Sequence, residues 1–155
     1  MHFETKEDTD SPIAEAFAAV TDFESFERSA IRRGVEVHRN GDGSTAPEDL
    51  TWDVVFMFRG SERKMRLEIL EYDAPDVVVF SATGSGMMGE LRVDLMALSS
   101  QRTRMTVRLD LRPKTLAARL LVQSLKLARN KLNRKFRKRV AEFALLIEER
   151  QTQIA

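Results

Sequence analysis

Residues 114–150, KTLAARLLVQSLKLARNKLNRKFRKRVAEFALLIEER, contain neither Gly nor Pro and read as one uninterrupted α-helix. Leu121, Leu125, Ala128, Leu132, Phe136, Val140, Phe143 and Ile147 recur at spacings of three and four, which places them on one helical face. An apolar face of that length needs a wall to pack on. The chain ahead of it supplies strands.

Working back from the helix, Pro113 ends a strand in which Met105, Val107, Leu109 and Leu111 alternate with Arg104, Thr106, Arg108 and Asp110. Before it, Leu91, Val93, Leu95 and Ala97 alternate with Arg92, Asp94 and Met96, and a β-branched run covers 77–80. Met65, Leu67 and Ile69 oppose Arg66, Glu68 and Leu70. They follow Trp52, Val54, Phe56 and Phe58 across a tight turn at Gly60 and Ser61. Val35 and Val37 open an earlier strand, which ends in the turn-rich 40–44, and Phe3 and Thr5 mark a first one.

Between those two strands lie two short helices. Ser11 is expected to cap the first, with Pro12 at its first position and Ile13, Phe17 and Val20 on its apolar face. Asp22 caps the second, which carries Phe23, Phe26, Ala30 and Ile31 and stops at Gly34. The later connections are too short for parallel crossovers, so the sheet is antiparallel. The expected class is α+β, a sheet of about seven strands with a long C-terminal helix in a single domain over 1–155.

Composition narrows the function. With 25 basic against 24 acidic residues, overall charge selects no partner. The absence of Cys excludes disulfides and thiolate chemistry and fits a reducing cytoplasm. The polar, acidic N-terminus does not read as a signal peptide, and no apolar run approaches the ~20 residues of a transmembrane helix. His2 and His38 are the only histidines, each on an outer strand face, so no metal site, cofactor or Ser-His-acid triad is expected. The three glycines of 83–89 precede a strand rather than a helix, which argues against a phosphate loop. A flexible hairpin at a cavity rim, with Met87 and Met88 covering the opening, suits that segment better.

This element order resembles the helix-grip superfamily of START, Bet v 1-like and polyketide-cyclase-like domains (SRPBCC). The segment 13–26, IAEAFAAVTDFESF, the paired strands over 51–72 and the C-terminal helix carry the resemblance, which spans nearly the whole chain. It implies a curved sheet gripping the long helix around a cavity for a hydrophobic or amphipathic small molecule such as a lipid, quinone or polyketide. Trp52, Phe56, Phe80, Met87, Met88, Leu125, Leu132 and Phe136 are then the candidate ligand contacts. Core packing is the plainer reading of each. A cyclase- or hydratase-like enzyme is the alternative, although no catalytic constellation stands out.

Two features of the helix remain. At 100° per residue Arg129 falls inside the apolar arc, where it either recognises an acidic ligand group or packs its stem and holds its head in water or against an acid. The ordinary behaviour of arginine favours the second. The basic run Lys126, Arg129, Lys131, Arg134, Lys135, Arg137, Lys138 and Arg139 meets no acid before Glu142, while the N-terminal third is acid-rich. Solvation, pairing with that acidic segment, or an anionic membrane surface would answer it. Nucleic acid is the weakest reading, for want of aromatic interleaving. Finally, roughly 50 Å of helix exceeds the ~40 Å breadth of such a domain, so it overhangs or bends. Leu116, Leu120 and Leu127 form a second stripe that calls for a homodimer partner or loops at the cavity mouth.

Overall fold

The structure, a computed structural model, describes residues 1–154. Seven strands form one antiparallel sheet in the order β1-β7-β6-β5-β4-β3-β2, with β1 His2–Thr9, β2 Glu36–Asn40, β3 Thr51–Phe58, β4 Ser61–Asp73, β5 Val77–Gly84, β6 Met87–Ser99 and β7 Arg102–Pro113. Helices α1 (Ile13–Val20) and α2 (Phe23–Arg32) follow β1, and α3 (Leu116–Leu127) and α4 (Arg129–Ile154) follow β7. This is the expected α+β helix-grip arrangement.

Turn chemistry sets the register. The β3–β4 hairpin closes through Arg59 and Gly60 at φ +51° and +77°, so that Phe58 pairs with Ser61 and Phe56 with Arg63. The β5–β6 hairpin closes through Ser85 and Gly86 at φ +50° and +72°. Two consecutive residues of positive φ twist with the flanking strands. The hairpin expected at 83–89 is thus present as a two-residue turn, and its Gly86 carbonyl accepts from Lys114 N–H at 2.7 Å.

The inward rows of β5, β6 and β7 supply the core residues Val78, Val93, Leu95, Met105 and Val107, closed off by Phe17 and Val20 of α1 and by Val140, Ala144 and Ile147 of α4. Two buried hydroxyls fasten the layers: Thr9 Oγ1 donates to the Ala144 carbonyl and Thr103 Oγ1 to that of Ser11, each at 2.8 Å. The outer face is laced by cross-strand ion pairs. Arg104 grips Asp8 through Nε at 2.8 Å and Nη2 at 3.3 Å, and Arg108 Nε reaches Glu4 at 3.1 Å.

Two expectations need correction. The N-cap position of α1 is held by Pro12 without a side-chain bond, because Ser11 is buried and its hydroxyl donates to the Pro12 carbonyl instead. Asp22 does cap α2, accepting from Ser25 N–H, and Gly34 follows α2 at φ +89°. The long helix is two helices: Ala128 sits at φ −105° and ψ 19°, and its N–H donates three residues back, to Leu125. No Pro or Gly marks the break. Its cause is tertiary, since α3 packs against β7 while α4 runs along β1, and a straight rod cannot follow both.

Candidate functional site

Between the inner sheet face and helices α2, α3 and α4 lies a cavity of about 930 Å³. Its walls are almost wholly apolar. Strand β3 contributes Trp52, Val54, Phe56 and Phe58, which share one side of the strand because side chains alternate. Met65 and Leu67 continue the wall on β4, Phe80 and Ala82 on β5, Leu91 on β6, and Leu109 and Leu111 on β7. The helices close it with Phe23 and Phe26 of α2, Leu121 and Leu125 of α3, and Phe136, Val140 and Phe143 of α4.

Aromatic contacts hold the helices to this wall. The Phe23 ring meets Trp52 edge-on at 5.2 Å and Phe80 at 6.1 Å, and Phe3 lies 5.8 Å from Phe136. Such tilted pairs suit the quadrupoles of the rings. Across the opening, Arg59 Nη1 at the β3–β4 tip donates to Ser124 Oγ of α3 at 2.6 Å. The Ser124 hydroxyl in turn donates to the Leu121 carbonyl at 2.8 Å.

Of the residues read from sequence, Trp52, Phe56, Phe80, Met87, Leu125 and Phe136 line this cavity. Met88, Leu132 and Arg129 do not. Met88 follows Met87 directly on β6, so alternation turns it to the outer face, where it borders a shallow groove with Asp110 and Arg112. Arg129 is exposed, because the break at Ala128 starts α4 over β1 and brings its Nη2 to 3.4 Å from the His2 carbonyl. The same break takes Leu132, half-buried, away from the wall.

Polar groups are few, and three of them are arginines: Arg33 of α2, Arg63 of β4 and Arg139 of α4. The carboxylate that faces the cavity from α2, Glu27, is already committed. Arg39 donates to it through Nε at 2.9 and 3.0 Å and through Nη2 at 2.6 Å. Of the carboxyl groups whose acidity the fold raises, Glu4 and Asp8 lie on the outer face beside Arg108 and Arg104, and Asp42 lies in the β2–β3 connection, held by Ser44. Arg63 was legible in advance: extending the row Ile69, Leu67, Met65 back by one alternation lands on it.

Glu4, Asp8 and Asp10 of the acidic first segment pair with arginines of β7 and not with the basic run, which makes one ion pair among the described residues, Lys138 to Glu142 at 4.0 Å. Leu116, Leu120 and Leu127 are 72%, 63% and 91% exposed. No described helix is long and apolar enough to cross a membrane.

No family model and no curated protein matches the sequence. Solved structures do resemble the fold. The Zhui aromatase/cyclase from Streptomyces sp. R1128 superposes with a TM-score of 0.66 at 14% identity, covering 98% of this chain and 95% of its own. The TTHA0849 protein of Thermus thermophilus gives 0.64 at 14% identity over 100% and 99% of the two chains. A START superfamily protein from Mycobacterium smegmatis gives 0.53 at 15% identity over 90% and 98%. At these identities the likeness is one of fold, and the fold of this chain is a helix-grip, a curved antiparallel sheet closed by C-terminal helices around an apolar cavity.

Proposed function

We propose that the protein binds a hydrophobic or amphipathic small molecule between the sheet and its C-terminal helices, as a carrier, sensor or sequestering module. The carrying observation is the cavity itself. At about 930 Å³ it lies near the upper end of ordinary ligand sites. Well-packed interiors leave few voids larger than a water molecule, so a space of this size with aromatic walls is not a packing remnant. The enzyme alternative is less well supported, since an acid-base role needs a free titratable group against the ligand. Glu27, the carboxylate turned toward the cavity, is held by Arg39.

Native mass spectrometry of the purified protein, followed by denaturing extraction, tests the binding reading. The expected result is a stoichiometric apolar molecule that leaves on denaturation. Protein that is empty and also takes up no apolar probe would sink the proposal.

A second reading concerns the surface beside the cavity. Leu116, Leu120 and Leu127 follow helical spacing on the exposed side of α3, with Arg119 and Lys126 on the same side, while Leu121 and Leu125 of that helix line the cavity. Apolar residues rimmed by cations match an anionic bilayer. A two-fold homodimer through the same stripe would bring Arg119 and Lys126 toward their own copies, which charge repulsion disfavours. The reading is that α3 docks on anionic lipid and places the cavity beside it.

A further inference from the structure

Arg63 is the basic member of an otherwise apolar row. It shares the cavity side of β4 with Met65, Leu67 and Ile69, and its register partner on β3 is Phe56. Its Nε is buried and has no hydrogen-bond partner among the described residues. Buried donors are rarely left so.

Other arginines show what is unusual here. Arg39 holds Glu27, Arg92 holds Asp94 and Glu71, and Arg104 holds Asp8. Glu27, a carboxylate in the cavity lining, is held by Arg39. Glu90 borders the cavity too, but alternation between Gly89 and Leu91 sends its side chain to the outer groove with Met88 and Arg112. Arg33 and Arg139 at the cavity edge add positive charge rather than cancel it.

A guanidinium does not lose its proton inside a protein. Arg63 is half-buried, and for the Nε side held against the apolar wall an anion offsets the cost of desolvation. We propose that Arg63 is the anion-recognising residue of the cavity, and that its ligands are amphipathic carboxylic acids, each an apolar body bearing one ionised carboxylate. The fork of donors on Arg63 takes the carboxylate, and the aromatic residues of β3 and α2 take the body. This inference rests on the cavity being a ligand site, and the test separates the two.

Trp52 is the single tryptophan and lines the cavity, so its emission reports occupancy. Wild type, Arg63→Met and Arg63→Lys are titrated at neutral pH with dodecanoate and with dodecanol, which share a chain and differ in charge. Wild type is expected to bind dodecanoate about tenfold or more tightly than dodecanol, the difference a charged hydrogen bond supplies. Arg63→Met should abolish that preference without weakening dodecanol, and Arg63→Lys should restore part of it. Equal binding of both probes by wild type, as a lone water on Nε would give, overturns the inference while leaving the cavity reading intact, as does a preference that survives in Arg63→Met. Silence of Trp52 toward both probes overturns both. Arg63→Met should melt no lower than wild type, and a lowered melting temperature would mark Arg63 as a structural residue instead.

Discussion

Phe26 of α2 and Phe143 of α4 lie with ring centroids 5.7 Å apart, and both line the cavity. Phe26 is nevertheless 43% exposed, and no residue of α2 is fully buried. This helix is therefore held to the cavity by a few aromatic contacts rather than by a packed core, which marks it as a low-stability segment. Phe26→Ala should cost only ~1 kcal/mol, since an aromatic pair contributes about 0.5–1.5 kcal/mol beyond its buried area. It should still speed apolar-probe release several-fold in stopped flow. Hydrogen exchange should be faster in α2 than in α4, and equal protection would contradict the loose packing.

Helix α4 is anchored differently. Ile147 is 2% exposed within the core, whereas Leu127, at 91%, touches mainly solvent. Ile147→Ala should lower unfolding free energy by about 2–5 kcal/mol, and Leu127→Ala by less than ~0.5 kcal/mol. Urea melts of the two variants check the contrast, and comparable losses would mean that the leucine stripe is covered in solution.

Gly84 lines the cavity at φ +148°, and an added Cβ would meet the Lys64 carbonyl oxygen at 2.1 Å and Met65 Cα at 2.9 Å. Backbone atoms cannot swing aside as a side-chain tip can. Gly84→Ala should cost at least ~2 kcal/mol and disturb the β4–β5 register. Gly43 has no atom within 4 Å of such a Cβ, so Gly43→Ala is expected to be near-neutral. Thermal melts of both variants decide the matter.

Acid should loosen the edge between β1 and β7. The hydrogen bonds from Arg104 hold the Asp8 carboxyl below its ordinary value, with the charges of Arg104 and Arg102 adding to the effect. A depressed native pKa gives stability that is present above the unfolded value, near 4, and is lost as pH falls through the lower native one. Urea midpoints should thus be level near neutrality and fall below about pH 4. Asp8→Asn should flatten that decline, and added salt should weaken it because the pair is partly open to solvent. An unchanged acid slope in Asp8→Asn would show that other carboxylates govern it.

Docking of α3 predicts sedimentation with vesicles of phosphatidylglycerol and not with those of phosphatidylcholine, weakening as salt is raised. Replacing Leu120 and Leu127 together by Gln should abolish it without changing the melting temperature. Binding that persists in the double variant would assign the contact to the basic run of α4 alone.

Much of the fold was legible because its determinants are local. Alternation over Trp52, Val54, Phe56 and Phe58 identifies a strand with one wet face whatever lies opposite, and Gly60 and Gly86 permit the positive φ that their hairpins need. The aromatic wall follows, since whichever side of β3 is apolar must face inward.

What local pattern could not supply was anything decided by a distant partner. The break at Ala128 has no residue signature, and it comes from packing two helical segments on different strands. Angular position alone put Arg129 inside the apolar arc, and the break carried it out to the His2 carbonyl, its head in water as arginine's ordinary behaviour favoured. Arg63 lay on the inward row by simple alternation, yet the want of a partner at its Nε, like the pairing of Arg39 on β2 with Glu27 on α2, is made only by tertiary structure. The sequence by itself determined which faces are apolar. Tertiary structure decided which charges were left unmatched against them, because pairing depends on long-range register and helix direction, and hydrophobic periodicity encodes neither.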